Sequence, residues 1–141
     1  MSRVWGRVPR NGFTLLELLV VIAIIGMLAA YVGPKYFSQV GKSQRSVAKS
    51  QVEAFARALG TYRLDVGNFP TTEEGLRALL TPPPTAAKWN GPYLDKAVPE
   101  DPWGHPYAYR SPGAHGGDFD IESYGKDGQP GGDGEAADIR N

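Results

Sequence analysis

Four acidic side chains, Asp127, Asp133, Glu135 and Asp138, fall within twelve residues and are threaded by Gly128, Gly131, Gly132 and Gly134. Carboxylates and bare backbone carbonyls sharing one flexible loop can converge on a hard cation, and calcium, which takes about six to eight oxygen ligands, is the natural candidate. Counting from Asp127, glycine stands at the sixth position and an acid at the twelfth, as in an EF-hand. The third and fifth positions are Gln129 and Gly131, however, and no helices flank the loop, so that motif is rejected. Composition alone also admits a simply solvated acidic segment.

Glu17 poses a different chemical question. It stands five residues into an apolar run that begins at Phe13, and an acidic residue deep in a bilayer costs roughly 2.5 to 3.5 kcal/mol on an insertion scale. A cut after Gly12 would leave a new amine on Phe13, one helical turn from Glu17, in the i and i+4 relation that favours opposite charges. Within a chain such a pair offsets part of the burial cost, and between chains it fixes axial register. The plainer alternative is a snorkelling or protonated Glu17.

Other chemistry is poorly provided for. His105 and His115 are the only histidines, cysteine is absent, and no zinc spacing emerges from them, so both read as loop residues. No phosphate-cradling loop follows a strand, and no arrangement of serine, histidine and acid stands out, which predicts no catalytic residues and no enzyme. Trp89, Trp103, Tyr93, Tyr107 and Tyr109 could make a sugar-binding surface, but in so small a domain they read as core under long loops.

The elements that position these residues follow from periodicity. Arg3, Arg7 and Arg10 make a basic leader over residues 1–12 that stays cytoplasmic, and Gly12 gives a peptidase close backbone access. Residues 13–33 then form one apolar helix of about 30 Å, the thickness of a hydrocarbon core. A secretory signal would place its cleavage point downstream of the apolar run, whereas here that point lies upstream and the helix is retained. Ala23, Gly26, Ala30 and Gly33 put small residues on one face, which suits close helix approach or arises by chance. Gly33-Pro34 predicts a kink or local melt.

Residues 34–141 read as a periplasmic globular domain. Ala48, Val52, Phe55, Leu59, Tyr62 and Val66 repeat at helical spacing as one apolar stripe, stopped by Gly67-Asn68-Phe69-Pro70. Thr71 and Glu74 form a candidate capping box before Leu76, Leu79 and Leu80, and Pro82-Pro83-Pro84 ends that element. Residues 106–110 and 118–124 read as strands joined by a loop over 111–117, with at most a short extended piece at Tyr93-Leu94 before them. The fold class is therefore α+β, a long N-terminal helix on a small antiparallel sheet with long loops. Overall hydropathy is negative despite the apolar run. Three of the fifteen basic residues lie in the leader, so cleavage leaves twelve against fifteen acidic ones, and the mildly acidic product excludes a nucleic-acid partner.

The string Gly12-Phe13-Thr14-Leu15-Leu16-Glu17, its basic leader and the following Val20-Val21-Ile22-Ala23-Ile24-Ile25-Gly26 resemble the class III signal of type IV pilins and pseudopilins. Gly33-Pro34, Asn68-Phe69-Pro70-Thr71-Thr72-Glu73-Glu74-Gly75-Leu76, Asp101-Pro102-Trp103-Gly104 and Ser123-Tyr124-Gly125-Lys126-Asp127-Gly128 resemble the major pseudopilins of type II secretion systems, so nearly the whole chain is covered. The resemblance implies a pilin-like fold and a prepilin peptidase that cleaves between Gly12 and Phe13 and methylates Phe13. It implies a role for Glu17 in assembly, and calcium in the acidic loop. Asp127 and Asp138 match the family's ligands best, the Tyr124 carbonyl is a further ligand, and Asp133 and Glu135 complete the set. It also implies a single-pass inner-membrane protein with a cytoplasmic N-terminus, polymerised into a homo-oligomeric helical filament with minor pseudopilins by an inner-membrane platform and its ATPase. That periplasmic pseudopilus drives folded proteins across the outer membrane. A type IV pilin of a surface fibre and a membrane-tethered periplasmic enzyme are the rivals, and the absent cysteines and Asp-Pro-Trp-Gly speak against the first.

Overall fold

The computed structural model describes residues 11–141, so Arg3, Arg7 and Arg10 of the expected leader lie outside the described residues. One helix, α1 (Leu15–Val66), is followed by a 3₁₀ turn at Leu76–Leu79 and three short strands, β1 (Ala108–Arg110), β2 (Asp120–Ser123) and β3 (Ile139–Arg140). The chain divides into two compact units, the first ending at Ser38 and the second running from Gln39 to Asn141.

In the first unit, α1 is long and apolar enough to cross a membrane. Its large side chains have no cover among the described residues of the unit: Leu15 is 79% exposed, Leu16 70% and Met27 74%. Helical geometry continues across Pro34, so the expected local melt does not occur. Proline withdraws one donor from the ladder, and the bonds of the turns on either side are enough to carry the helix through.

In the second unit the predicted stripe is the floor of the core. Ala48, Val52, Phe55, Leu59 and Tyr62 are buried, Val66 is half-buried, and the same face continues back to a buried Gly41. Against this stripe pack Leu76, Ala78 and Leu79 of the 3₁₀ turn, Ala86, Tyr107, Ile121 of β2 and Ile139 of β3. Each fully buried aliphatic or aromatic side chain contributes about 1.5 to 3 kcal/mol relative to exposure. The helix ends at Gly67, whose φ of 97° is one that L side chains rarely adopt and whose N–H closes on the Arg63 carbonyl at 2.8 Å.

The Thr71 capping box forms reciprocally. Glu74 N–H donates to Thr71 Oγ1 at 3.2 Å, and Thr71 N–H donates to Glu74 Oε2 at 2.9 Å. It opens turns and a single 3₁₀ segment, because Gly75 takes φ 60° and Pro82 to Pro84 halt any extension. The aromatic residues fill the space under the loops. Phe55 meets Tyr107 edge to face at 5.1 Å, and Tyr93 contacts both Tyr62 and Trp89. Trp89 Nε1 donates to the Ala78 carbonyl at 2.8 Å, and Tyr109 donates to the Pro70 carbonyl at 2.8 Å, its hydroxyl pushed up to about 12 by burial. Tyr93-Leu94 forms no strand; Tyr93 N–H instead donates to the Leu79 carbonyl at 2.7 Å.

The strands lie in the order β1-β2-β3, antiparallel throughout, with Ala108 opposite Glu122 and Glu122 opposite Arg140. Along β2 the pattern alternates. Ile121 and Ser123 are buried, whereas Asp120 and Glu122 share the other face. The sequence did not announce β3, since two residues are too few to show a period.

Asp101, with a fully buried side chain, ties these pieces together. Its Oδ1 accepts the N–H groups of Trp103 at 3.1 Å and His105 at 2.8 Å, and its Oδ2 accepts Ser123 Oγ at 2.7 Å. This is the physical content of the Asp-Pro-Trp-Gly segment: a buried carboxylate folds the turn after it and fastens that turn to the end of β2. Asp101→Ala orphans three donors and is expected to cost about 3 kcal/mol, with Asp101→Asn milder because it keeps an acceptor. Urea unfolding of the full chain in detergent micelles measures both. A loss in Asp101→Ala below about 1 kcal/mol, a neutral bond's worth, would remove this role from Asp101.

Candidate functional site

Two places carry the chemistry anticipated in the sequence, the start of α1 and the loop between β2 and β3. At the helix start, Glu17 does more than sit in an apolar run. Thr14 N–H donates to Glu17 Oε2 at 2.8 Å, Thr14 Oγ1 donates to the same oxygen at 3.0 Å, and Glu17 N–H donates to Thr14 Oγ1 at 3.2 Å. This is a second capping box, of the same Thr-x-x-Glu spacing as Thr71 to Glu74, and the sequence reading noticed only the later one. Gly12 and Phe13 precede the helix and are exposed. Phe13 lies ahead of α1, and Glu17 is satisfied by its own helix terminus.

The loop after β2 is built on the Asp101 hub. Ser123 Oγ, donating to Asp101, accepts Gly125 N–H at 3.3 Å, and His105 Nδ1 lies 3.2 Å from the Gly125 carbonyl with its ring against Gly128. A Cβ at Gly125 would fall 2.9 Å from the Ala136 and Glu135 carbonyls, so only glycine lets the two arms of the loop close. Lys126 N–H completes that closure on the Glu135 carbonyl at 3.1 Å.

The five expected ligands share one loop, but their carboxylates do not converge as a metal-holding group and have different local partners. Tyr124 is half-buried just past β2. Asp127 Oδ1 accepts Gln129 N–H at 3.1 Å, an Asx turn. Asp133 is exposed ahead of the short 3₁₀ turn Gly134–Ala136. Glu135 Oε2 pairs with Lys126 Nζ at 3.0 Å, and its side chain covers Gly41 of α1, where a Cβ would come within 1.9 Å of Oε1. Asp138 points inward, its side chain 8% exposed; both carboxylate oxygens accept Gly131 N–H at 3.0 Å, and Oδ2 accepts Arg140 Nη2 at 3.0 Å. The donor chemistry, carboxylates and loop carbonyls without nitrogen or sulfur, fits a hard cation such as calcium. As arranged here, a guanidinium holds Asp138 and an ammonium holds Glu135, so a cation would take both carboxylates from basic side chains.

Several residues that position this loop escaped the sequence reading. Arg45 Nη1 donates to the Ala137 carbonyl at 2.7 Å, clamping the loop to α1 one turn after Gly41. Gly41 lies seven residues before Ala48, so the stripe's own period could have reached it. No local signal marks Arg45 or Arg140.

A second cluster lies on the outer face of the hairpin. His115 Nδ1 is 3.0 Å from Asp120 Oδ2 and 3.6 Å from Glu122 Oε1. Arg140 Nε is 2.9 Å from Glu122 Oε1, and its Nη1 is 3.2 Å from His115 Nε2. Burial alone would raise the Asp120 carboxyl, but the Ala114 N–H at 2.6 Å and the His115 ring outweigh it and leave the group below its usual value.

Known proteins carry both halves of this chain. Residues 35–141 match the family model described as type II secretion system (T2SS), protein G, and residues 7–33 match the prokaryotic N-terminal methylation motif. A type II secretion system core protein G of Pseudomonas aeruginosa is 44% identical over 138 residues, covering 96% of each chain. Its counterpart from Vibrio cholerae is 43% identical over 135 residues, covering 94% of this chain and 91% of that one. The crystal structure of the major pseudopilin from the type 2 secretion system of enterohaemorrhagic Escherichia coli superposes with a TM-score of 0.64 at 37% identity, over 74% of this chain and 91% of that one. With the long helix, the three-stranded sheet and the loop all in place, the chain belongs to the protein G family of type II secretion systems.

Proposed function

We propose that this chain is the major structural subunit of a type II secretion pseudopilus, a homo-oligomeric helical filament that acts by assembling and catalyses nothing. The observation that carries the reading is the bare apolar half of α1. Leu15 to Val32 is lined with large apolar side chains that are half exposed or more, and nothing among the described residues covers them. Such a surface needs either lipid or the same helix of neighbouring subunits, and a pseudopilin uses the first before assembly and the second after it. The family match is to the secretion branch, which favours this reading over a surface-fibre pilin or a tethered enzyme.

On this reading the leader's arginines keep the N-terminus cytoplasmic, and the globular unit faces the periplasm from a single inner-membrane span. A prepilin peptidase cuts between Gly12 and Phe13 and methylates Phe13, after which an inner-membrane platform with its ATPase adds subunits beneath a tip of minor pseudopilins. Glu17, which caps its own helix before cleavage, then has a charged amine on Phe13 as partner, in its own chain or the next. Glu17→Ala is expected to leave the subunit in the inner membrane while abolishing both filaments and secretion, read by electron microscopy and by export of a secreted enzyme. Normal filaments together with normal secretion would sink the role given to Glu17.

Calcium belongs to the same proposal. Asp127, Asp133 and Asp138 with the Tyr124 carbonyl would hold it, joined by Glu135 once that side chain leaves Lys126. A bound cation would do the work that a disulfide cannot do in a chain without cysteine, closing the loop over the Asp101 hub. Saturating calcium is expected to raise the unfolding midpoint of the detergent-solubilised chain by about 10 °C. The gain should disappear in Asp138→Asn. An unchanged midpoint in the wild type would defeat the calcium assignment.

A further inference from the structure

We propose that His115, Asp120 and Glu122 form a zinc site on the outer face of the β1–β2 hairpin, separate from the acidic loop. The three side chains each offer one ligand atom, and these atoms lie within 4.8 Å of one another. For zinc bonds of about 2.0 Å, neighbouring ligands of a tetrahedron stand about 3.3 Å apart. His115 Nδ1 to Asp120 Oδ2 at 3.0 Å and His115 Nδ1 to Glu122 Oε1 at 3.6 Å bracket that edge. The two carboxylates lie within 4.8 Å of each other, and side-chain shifts would bring them onto one ion.

Chemistry selects the metal. One imidazole nitrogen with two carboxylates is a borderline donor set that suits zinc, whereas calcium and magnesium take oxygen alone. The carboxylates are preorganised, because Asp120 and Glu122 are two apart on β2 and so project from one face, with side chains only 13% and 14% exposed. Glu122 Oε1 is a buried oxygen with no aligned hydrogen bond, although Arg140 Nε stands 2.9 Å away. The carboxylate is held there as the ion-pair partner of a guanidinium, which an incoming cation would displace. All three side chains also line a surface pocket of about 320 Å³ shared with Thr72, Tyr109 and Tyr124, which leaves room for a fourth ligand from water or another molecule.

Arg140 is the competitor. Its Nη1 faces His115 Nε2 at 3.2 Å, the contact of an imidazole whose proton sits on Nδ1 and points at Asp120. Zinc on Nδ1 moves that proton to Nε2 and ends the contact. Arg140 keeps Asp138 as a partner at 3.0 Å. Zinc therefore has to displace Arg140 from both His115 Nε2 and Glu122 Oε1.

The test is zinc binding to the full chain, without a histidine tag, in detergent micelles and chelator-treated buffer, read by equilibrium dialysis and by the visible absorption of a cobalt(II) substitute. The expected result is a saturable site with one ion per chain, weakened at least about tenfold in both His115→Ala and Glu122→Gln and unchanged in His105→Ala and Asp127→Asn. Unfolding midpoints measured without metal establish that the variants are folded, and Glu122→Gln decides alone if His115→Ala is not. Absence of saturable binding in the wild type overturns the proposal. So does zinc binding that survives in Glu122→Gln, or that is lost in Asp127→Asn, which would place the ion in the acidic loop.

Discussion

The core of the globular unit closes on one stripe of α1. From Gly41 through Ala48, Val52, Phe55, Leu59 and Tyr62 the helix offers a continuous apolar face, and the 3₁₀ turn, Tyr107, Ile121 and Ile139 are held by burial against it. The sheet is too small to supply a core of its own, with strands of three, four and two residues. Without the stripe there would be nothing for the loops to close over, and no disulfide replaces it. The same helix continues, unbroken at Pro34, into an exposed apolar half long enough to cross a membrane.

Apolar packing sets where the loops lie, and a buried polar network sets their shape. Asp101 is the centre of that network: it fixes the turn through Trp103 and His105, reaches β2 through Ser123, and through Ser123 and His105 sets the floor beneath Gly125 and Gly128. A buried carboxylate with every donor matched gives one geometry rather than many. The acidic loop is then pinned from the helix side by Glu135 over Gly41 and by Arg45 on the Ala137 carbonyl. The basic groups that hold Asp138 and Glu135 make this a loop whose carboxylates are already satisfied electrostatically, so that any incoming cation acts by exchange.

Much of this was legible beforehand because it rests on local or periodic signals. The membrane-length run, the stripe from Ala48 to Val66, the Gly67 stop, the Thr71 capping box and the two strands of the hairpin all follow from spacing, and spacing is preserved when the chain folds. The capping box at Thr14 and Glu17 is equally legible, since Glu17 is the third helical residue as well as a charge in an apolar run. Of the kink or local melt expected at Pro34, the melt does not occur, since one lost hydrogen bond leaves the neighbouring turns intact. β3 and the helical extent after Thr71 were not legible, since two paired residues carry no period and a capping box starts a helix without setting its length.

What the sequence by itself determined, then, is the order of elements, the one face of α1 that must be covered, the exposed apolar half, and the family that such a combination belongs to. Only the tertiary structure decided which charges meet. Arg140 reaches Asp138, Glu122 and His115 because β3 pairs with β2 and sets Arg140 opposite Glu122. His115 finds Asp120 and Glu122 because the hairpin loop folds back over the outer face of the strand. Apart from Asp138 and Arg140, which are two apart, these pairs are separated by 5 to 25 positions, and no rule of spacing connects them. Side-chain encounters of that kind depend on strand register and loop closure, which are settled by burial of the opposite face, Ile121 and Ser123, against α1 and Asp101.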